Sequence, residues 1–244
     1  MIRTDTSITR RIDALLIDQN ELEKEDHVSS GKLSASMLHQ PLRFQILKTL
    51  GVERRPLDPY VLRKFARGIQ VENYFVDKLK KIGVLVEAQK EVQYRDVVGI
   101  VDAVVNHYGL DFDLGVVPME IKSVTNMAFN RFKKSGEINH HYCLQGALYG
   151  LAMESPQFSV TQIPSDDLRE NITILDTRDY QGEIDKIIDN YNRAMQKRII
   201  PEIEITPETK WTINPIYSMF DESWIKMSSF ECSERLKQQG LWFN

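Results

Sequence analysis

Cysteine is nearly absent from this chain: of 244 residues only Cys143 and Cys232 carry a thiol, far apart and with no partner at metal-ligand spacing. That excludes a four-cysteine cluster and fits a reducing compartment. Long apolar runs are missing too, and residues 1–11 lack the apolar core of a signal peptide, so the expectation is a cytosolic protein with no membrane partner. There is no basic excess. The formal net charge of -4 counts against a protein that coats nucleic acid non-specifically, although it leaves room for a local basic channel. Repeats and low-complexity tracts are also lacking. What is present is 42% hydrophobic content over 244 residues, enough for one domain with a real core.

Taken in order, Thr4 to Glu25 reads as a charged amphipathic helix with Ile8, Ile12, Leu15 and Leu16 on one side, suited to packing or oligomer contact. Ser34-Ala35-Ser36 opens a second helix carrying Leu38, Leu42, Ile46, Leu47 and Leu50, broken by the two prolines between Gly51 and Pro59. A longer helix runs from Pro59 to about Ile82, with Gly83 just past its end and Leu62, Phe65, Ile69, Leu79 and Ile82 at helical spacing. Val84 to Tyr94 alternates as a strand. Two Val-rich strands follow, Val97 to Tyr108 and Gly115 to Val124, joined by a turn through Asp111, Asp113 and Gly115. Arg131 to His141 reads as a flexible basic segment, Asn139 to Glu154 as a helix, Phe158 to Ile163 and Asn171 to Leu175 as strands, and Gln181 to Arg198 as an amphipathic helix. From Pro201 onward Trp211, Tyr217, Phe220, Trp224 and Phe230 are mixed with charge and show no periodicity. The order describes an α/β domain with a central mixed sheet.

The chemistry gathers in the Val-rich hairpin. Side chains alternate across a strand, so Glu120 and Lys122 point to one face and Ile121 to the other, while Asp102 sits among apolar neighbours on the facing strand. Pairing the strands brings three ionisable groups together. Unpaired buried charge is costly, so such a sheet holds a cation or a polar substrate; the plainer alternative is a salt bridge between Asp102 and Lys122 at a solvated end. Glu72, four residues after Gly68, has a plainer reading as well, on a solvated helix face beside Lys64, Arg67 or Lys78. His141, Gln145 and Tyr149 share one helix face, a pattern that also fits ordinary surface. Arg131, Lys133, Lys134, His140 and His141 against the single acid Glu137 read either as a solvated loop or as counter-charge for a phosphodiester backbone.

Gly68-x-x-x-Glu72, Gly99-Ile100-Val101-Asp102, Glu120-Ile121-Lys122 and Gln145-Gly146-Ala147-Leu148-Tyr149, taken in that order, resemble the PD-(D/E)xK nuclease superfamily in its RecB/Cas4-like exonuclease branch. The last matches that branch's Q-x-x-x-Y pattern, and the resemblance covers residues 34–175. It implies an α/β restriction-endonuclease-like core, a central mixed β-sheet flanked by helices, over residues 34–200. Residues 1–33 would be an N-terminal helical extension and 201–244 a C-terminal extension packed on the core. The implied activity is a metal-dependent DNA exonuclease that hydrolyses phosphodiester bonds to leave 5′-phosphate products, in DNA recombination, repair or replication. Asp102 and Glu120 would bind Mg²⁺ or Mn²⁺ with the Ile121 carbonyl and Glu72 as further ligands. Lys122 would position or help deprotonate the attacking water, Gln145 and Tyr149 would orient the site, and Arg131, Lys133, Lys134 and His141 would bind nucleic acid. Two departures matter. Many relatives have His at the position of Glu72, and glutamate there favours an all-oxygen site. The iron–sulphur relatives have four cysteines this chain lacks, which points to the cluster-free phage-type or stand-alone members. The implied partners are DNA and either a second copy of the chain or a recombination or replication protein, in the cytoplasm of a bacterial or phage-infected cell. The same chemistry serves a structure-specific endonuclease. A non-catalytic nucleic-acid-binding protein is the remaining alternative, against which intact Asp102, Glu120 and Lys122 argue.

Overall fold

Prolines set where the second and third helices of this chain begin. The computed structural model describes residues 7–26, 31–109, 114–203, 220 and 222–242. Helix α1 (Ser7–Asp26) is followed by a two-residue strand β1 (Leu33–Ser34), a 3₁₀ turn over Ala35–Met37, α2 (Leu42–Thr49) and α3 (Pro59–Lys81). The single helix expected from Ser34 does not form. Pro41 disfavours helical backbone in the residue before it, so the chain turns at Ala35–Met37 and restarts as α2 immediately after the proline. In α3, Pro59 occupies the first turn, where its missing N–H costs nothing, and the Asp58 side chain accepts the Tyr60 N–H at 2.7 Å.

Next come β2 (Leu85–Tyr94), β3 (Val97–Asn106), β4 (Val116–Val124), α4 (Asn126–Ser135), α5 (His140–Ala152), β5 (Gln157–Pro164), β6 (Asn171–Asp176) and α6 (Arg178–Lys197). Two short helices, α7 (Glu222–Lys226) and α8 (Ser229–Gln238), close the described part of the chain. The hairpin turn through Asp111 and Asp113, and Trp211 and Tyr217 of the tail, lie outside the described residues. β3 is antiparallel to both β2 and β4, β5 is parallel to β4, and β6 is antiparallel to β5. β1 runs parallel to the first two residues of β3. The sheet is therefore mixed and flanked by helices, the α/β class of a restriction-endonuclease-like core.

One face of the sheet takes α3, whose Val71, Phe75 and Leu79 cluster with Ala103, Val105, Met119, Ile121 and Ile163. These buried residues step by four, so Phe65 and Ile69, on the neighbouring stripe, face outward, and Ile82 past the helix end is exposed too. The other face takes α5, whose Leu144, Ala147 and Leu148 join Val101, Val104, Phe158 and Val160. Glycines let α5 lie close: a Cβ at Gly146 would sit 2.5 Å from the Phe158 ring, and one at Gly150 would sit 2.4 Å from the Thr177 hydroxyl. Of the basic segment Arg131 to His141 expected to be flexible, residues 131–135 form the last turn and a half of α4 and His140 and His141 open α5, leaving 136–139 as the link. Thr125 caps the start of α4 by accepting the Ala128 N–H at 3.2 Å, and Gly136, at φ 71°, ends it in left-handed backbone.

The tail is not peripheral. Phe220, Trp224, Cys232, Leu236 and Trp242 are buried in the same core cluster as α5. Arg43 of α2, itself 1% exposed, donates to the backbone carbonyls of Pro201 (2.8 Å), Met227 (2.9 Å) and Trp224 (3.4 Å), and its guanidinium lies 3.5 Å from the Glu202 carboxylate. α8 starts with a reciprocal cap between Ser228 and Glu231. No helix among the described residues is long and apolar enough to cross a membrane.

Candidate active site

The site is built on a gap in the sheet. β3 pairs with β4 only through Ala103–Asn106, while the start of the same β3 edge is taken by β1 at Val97 and Val98. Continued by two residues, the β3–β4 register would set Ile121 opposite Val101. Instead the Asp102 carboxylate reaches across and accepts the Ile121 N–H at 2.7 Å. In such a pair one residue aims both its N–H and its carbonyl at the partner strand, so the Ile121 carbonyl faces the same gap.

Glu120 and Lys122 extend from the α5 face of β4. Glu120 is 0% exposed, and its carboxylate meets the Lys122 ammonium, ion-paired with Oε1, and the Tyr149 side chain; among the described residues Lys122 is its counter-charge. Lys122, 26% exposed, also donates to Gln145 Oε1 at 3.3 Å and lies 5.5 Å from the centre of the Tyr142 ring. Gln145 Nε2 donates in turn to the Tyr149 hydroxyl at 2.7 Å. Tyr149 is buried, so the His-Gln-Tyr stripe is not plain surface. Its ring lies over Gly99, where a Cβ would come within 2.7 Å of Cε1. Gly99→Ala is therefore expected to displace Tyr149 and slow catalysis about tenfold through loss of positioning, with only a modest fall in Tm; a wild-type rate in that variant would remove Tyr149's position from the argument.

The carboxylates resist ionisation in this state. Burial, with the Asp102 charge added, outweighs Lys122 and pushes Glu120 up to about 8. Burial raises Asp102 as well, against the pull of the Ile121 N–H and Lys122. Lys122 is held above its ordinary value, because Glu120 and Asp102 overcome its desolvation. Glu72 on α3 is raised to about 7 by burial and by the charge of Asp102. It accepts a 2.5 Å hydrogen bond from Gln89, whose backbone stands at φ 52°. Among the described residues no three His, Cys, Asp or Glu side chains converge closely enough to hold a metal ion as they stand. The donors themselves fit a hard divalent cation: a fully buried carboxylate that no backbone N–H satisfies, a second raised carboxylate near it, and a backbone carbonyl facing the gap.

The basic residues are distributed differently from the sequence expectation. Arg131 and Lys134 line a shallow groove on the outer face of α4 with Met127 and Asn130, and the Lys133 ammonium lies 5.0 Å over the Phe129 ring. His141 is elsewhere, on α5, stacked on His39 with ring centres 4.6 Å apart. Burial, His39 and Lys122 together depress it to about 4, so it is neutral at neutral pH and supplies no counter-charge there. Sequence reading missed His39, Tyr142 and Gln89. The first comes from the turn before α2, far from any motif, but Tyr142 was signalled by its place on α5 three residues before Gln145. A cleft of about 620 Å³ leads in beside Gln145 and Tyr149, walled by Ser34–Ser36 and by Val98–Ile100.

No family model matches this chain, and no curated protein does. Among solved structures the chain is similar to SSO0001, at 15% identity and a TM-score of 0.52 over 89% of this chain and 98% of that one. It is also similar to the alkaline exonuclease LHK-Exo from Laribacter hongkongensis, at 12% identity and a TM-score of 0.47 over 69% and 92% of the two chains. LHK-Exo in complex with dAMP matches at 12% identity and a TM-score of 0.45, over 76% and 95%. The likeness is one of fold.

Proposed function

We propose that this chain is a metal-dependent DNA exonuclease of the PD-(D/E)xK type, in its cluster-free RecB-like branch. The observation that carries the reading is Glu120: a carboxylate sealed in the core, held there by the Lys122 ammonium and the Tyr149 side chain, with its charge acting on Asp102 beside the gap in the sheet. A core built only for stability has no use for such a group. Bound by Asp102, Glu120 and the Ile121 carbonyl, with Glu72 drawn in from α3, Mg²⁺ or Mn²⁺ would polarise a phosphate oxygen and acidify a water.

The remaining steps belong to the chain's own residues. Lys122 is charged at neutral pH, so its part is to hold the attacking water in line and to stabilise the extra negative charge of the pentacoordinate phosphorane, rather than to act as the base. Gln145 fixes the Lys122 ammonium, and Tyr149 fixes Gln145. Water oxygen bonds to phosphorus as the bond to the 3′ oxygen breaks, leaving a 5′-phosphate and a 3′-hydroxyl. The strand approaches through the cleft beside Gln145, with the basic face of α4 as a second contact.

The test is digestion of 5′-labelled and 3′-labelled linear DNA, single- and double-stranded, alongside a closed circle, with Mg²⁺, with Mn²⁺ and with EDTA. Metal-dependent loss of linear DNA with the circle spared is expected, and the label released first gives the polarity. A cut circle would move the reading to an endonuclease. No cleavage with either metal would overturn the enzyme altogether.

A further inference from the structure

We infer that α1 is a self-association element: its outward face pairs antiparallel with α1 of a second copy of this chain. The inference does not depend on the nuclease reading. α1 has two faces. Asp13, Leu16, Ile17 and Asn20 are half-buried on the side toward α3, where Asp13 pairs with Arg63. The other side carries Ile8, Ile12, Leu15 and Leu22, which are 64%, 47%, 55% and 63% exposed.

These residues, with the exposed Gln19, follow one another in steps of four, three, four and three. That spacing is the seam of a two-stranded coiled coil, and it selects another helix as the occupant. A single polar residue in such a seam fixes register and orientation, the part Gln19 would play. The charge pattern selects a second α1, reversed. Residues 7–16 carry Arg10 and Arg11 against one acid, whereas residues 17–22 carry Asp18 and Glu21 and no basic residue. Parallel pairing would set acid against acid. Antiparallel pairing sets the arginine end of each helix beside the acidic end of the other, around a two-fold axis near the helix centre, with Ile12 packing on the partner helix at the level of Leu22. A helix of 20 residues is about 30 Å long. An interface of that length falls below about 1,200 Å² in total, the size of weak and transient associations, so the dimer should form in a concentration-dependent way.

Sedimentation of the full chain from about 1 to about 200 µM tests this. The weight-average mass should climb from 28.3 kDa toward twice that value, and Leu15→Lys, or Leu22→Lys in a separate variant, should stay at the monomer mass with an unchanged helical spectrum. Mixing an Ile12→Cys chain with a Leu22→Cys chain under mild oxidation should give the mixed disulfide dimer, since the native Cys143 and Cys232 are both buried. A monomer at every concentration would overturn the proposal, as would a dimer indifferent to both lysine variants. Disulfides forming mainly between identical variants would overturn the antiparallel arrangement.

Discussion

Glu120→Gln is expected to abolish metal-dependent cleavage, by about 10³-fold or more, while making the metal-free protein more stable than wild type in alkaline buffer. The two effects have one cause. In the folded, metal-free chain Glu120 has its pKa raised to about 8 from an ordinary 4.5, so between those values the folded state keeps a proton that the unfolded state gives up. A raised pKa contributes stability that is complete below pH 4.5 and is lost as pH climbs through about 8. Thermal melts of the wild type without metal should therefore show Tm falling from pH 5 to pH 8, with Glu72, raised to about 7, adding to the fall. Added Mg²⁺ at pH 8 should restore Tm. The glutamine, which mimics the protonated acid, should flatten much of this slope. A Tm independent of pH in the wild type would show that Glu120 is not strained by burial, and with that the main support for a cation at this position would go.

Lys122→Ala should remove cleavage as completely, with the opposite effect on stability. It strips Glu120 of its counter-charge among the described residues, and an uncompensated buried carboxylate costs about 3 kcal/mol once it must ionise. The loss should be small at pH 5, where Glu120 can hold its proton, and full at pH 9. Lys122→Arg separates the two roles. It keeps the charge and much of the stability, but a planar guanidinium does not replace a compact ammonium that meets both Glu120 Oε1 and Gln145 Oε1. Melting curves and single-turnover rates on the same preparations distinguish these outcomes. Near-wild-type rates in Lys122→Ala would leave Lys122 only a structural partner of Glu120.

How far the sequence could be read follows the range of the forces involved. α3 was legible almost to the residue because its start and stop are local: Asp58 and Pro59 before it, Gly83 after it. The alternation that put Glu120 and Lys122 on one face of β4 and Ile121 on the other is equally local: Ile121 joins Met119 in the cluster under α3, while Lys122 meets Gln145 and Tyr142 of α5. The C-terminal half of α4, Arg131 to Ser135, was read as part of a flexible segment because its basic, weakly apolar surface hides a helix set by Thr125 and Gly136 and anchored by the buried Phe129. α8 was missed although its capping pair, Ser228 and Glu231, stands at the expected spacing. The gap between β3 and β4, and the approach of His39 to His141, depend on where distant segments meet, which no short window of sequence records. The neutrality of His141 follows from that packing too. Its sequence context is basic, and only burial beside Lys122 shows that it carries no charge.

The Arg43 clamp governs the order in which this molecule can be made. The guanidinium is committed to a site sealed by the carbonyls of Pro201, Trp224 and Met227, all of which leave the ribosome after the whole sheet has been synthesised. Until then α2 presents a cation where the finished core is dry, and the apolar surface that Trp224, Cys232 and Leu236 will cover stands open to water. Before α7 and α8 dock, that side of the core is thus uncovered. A chain in which these contacts have not yet formed holds Asp102, Glu120 and Lys122 on its sheet and yet exposes the α5 side of its interior to chaperones and proteases.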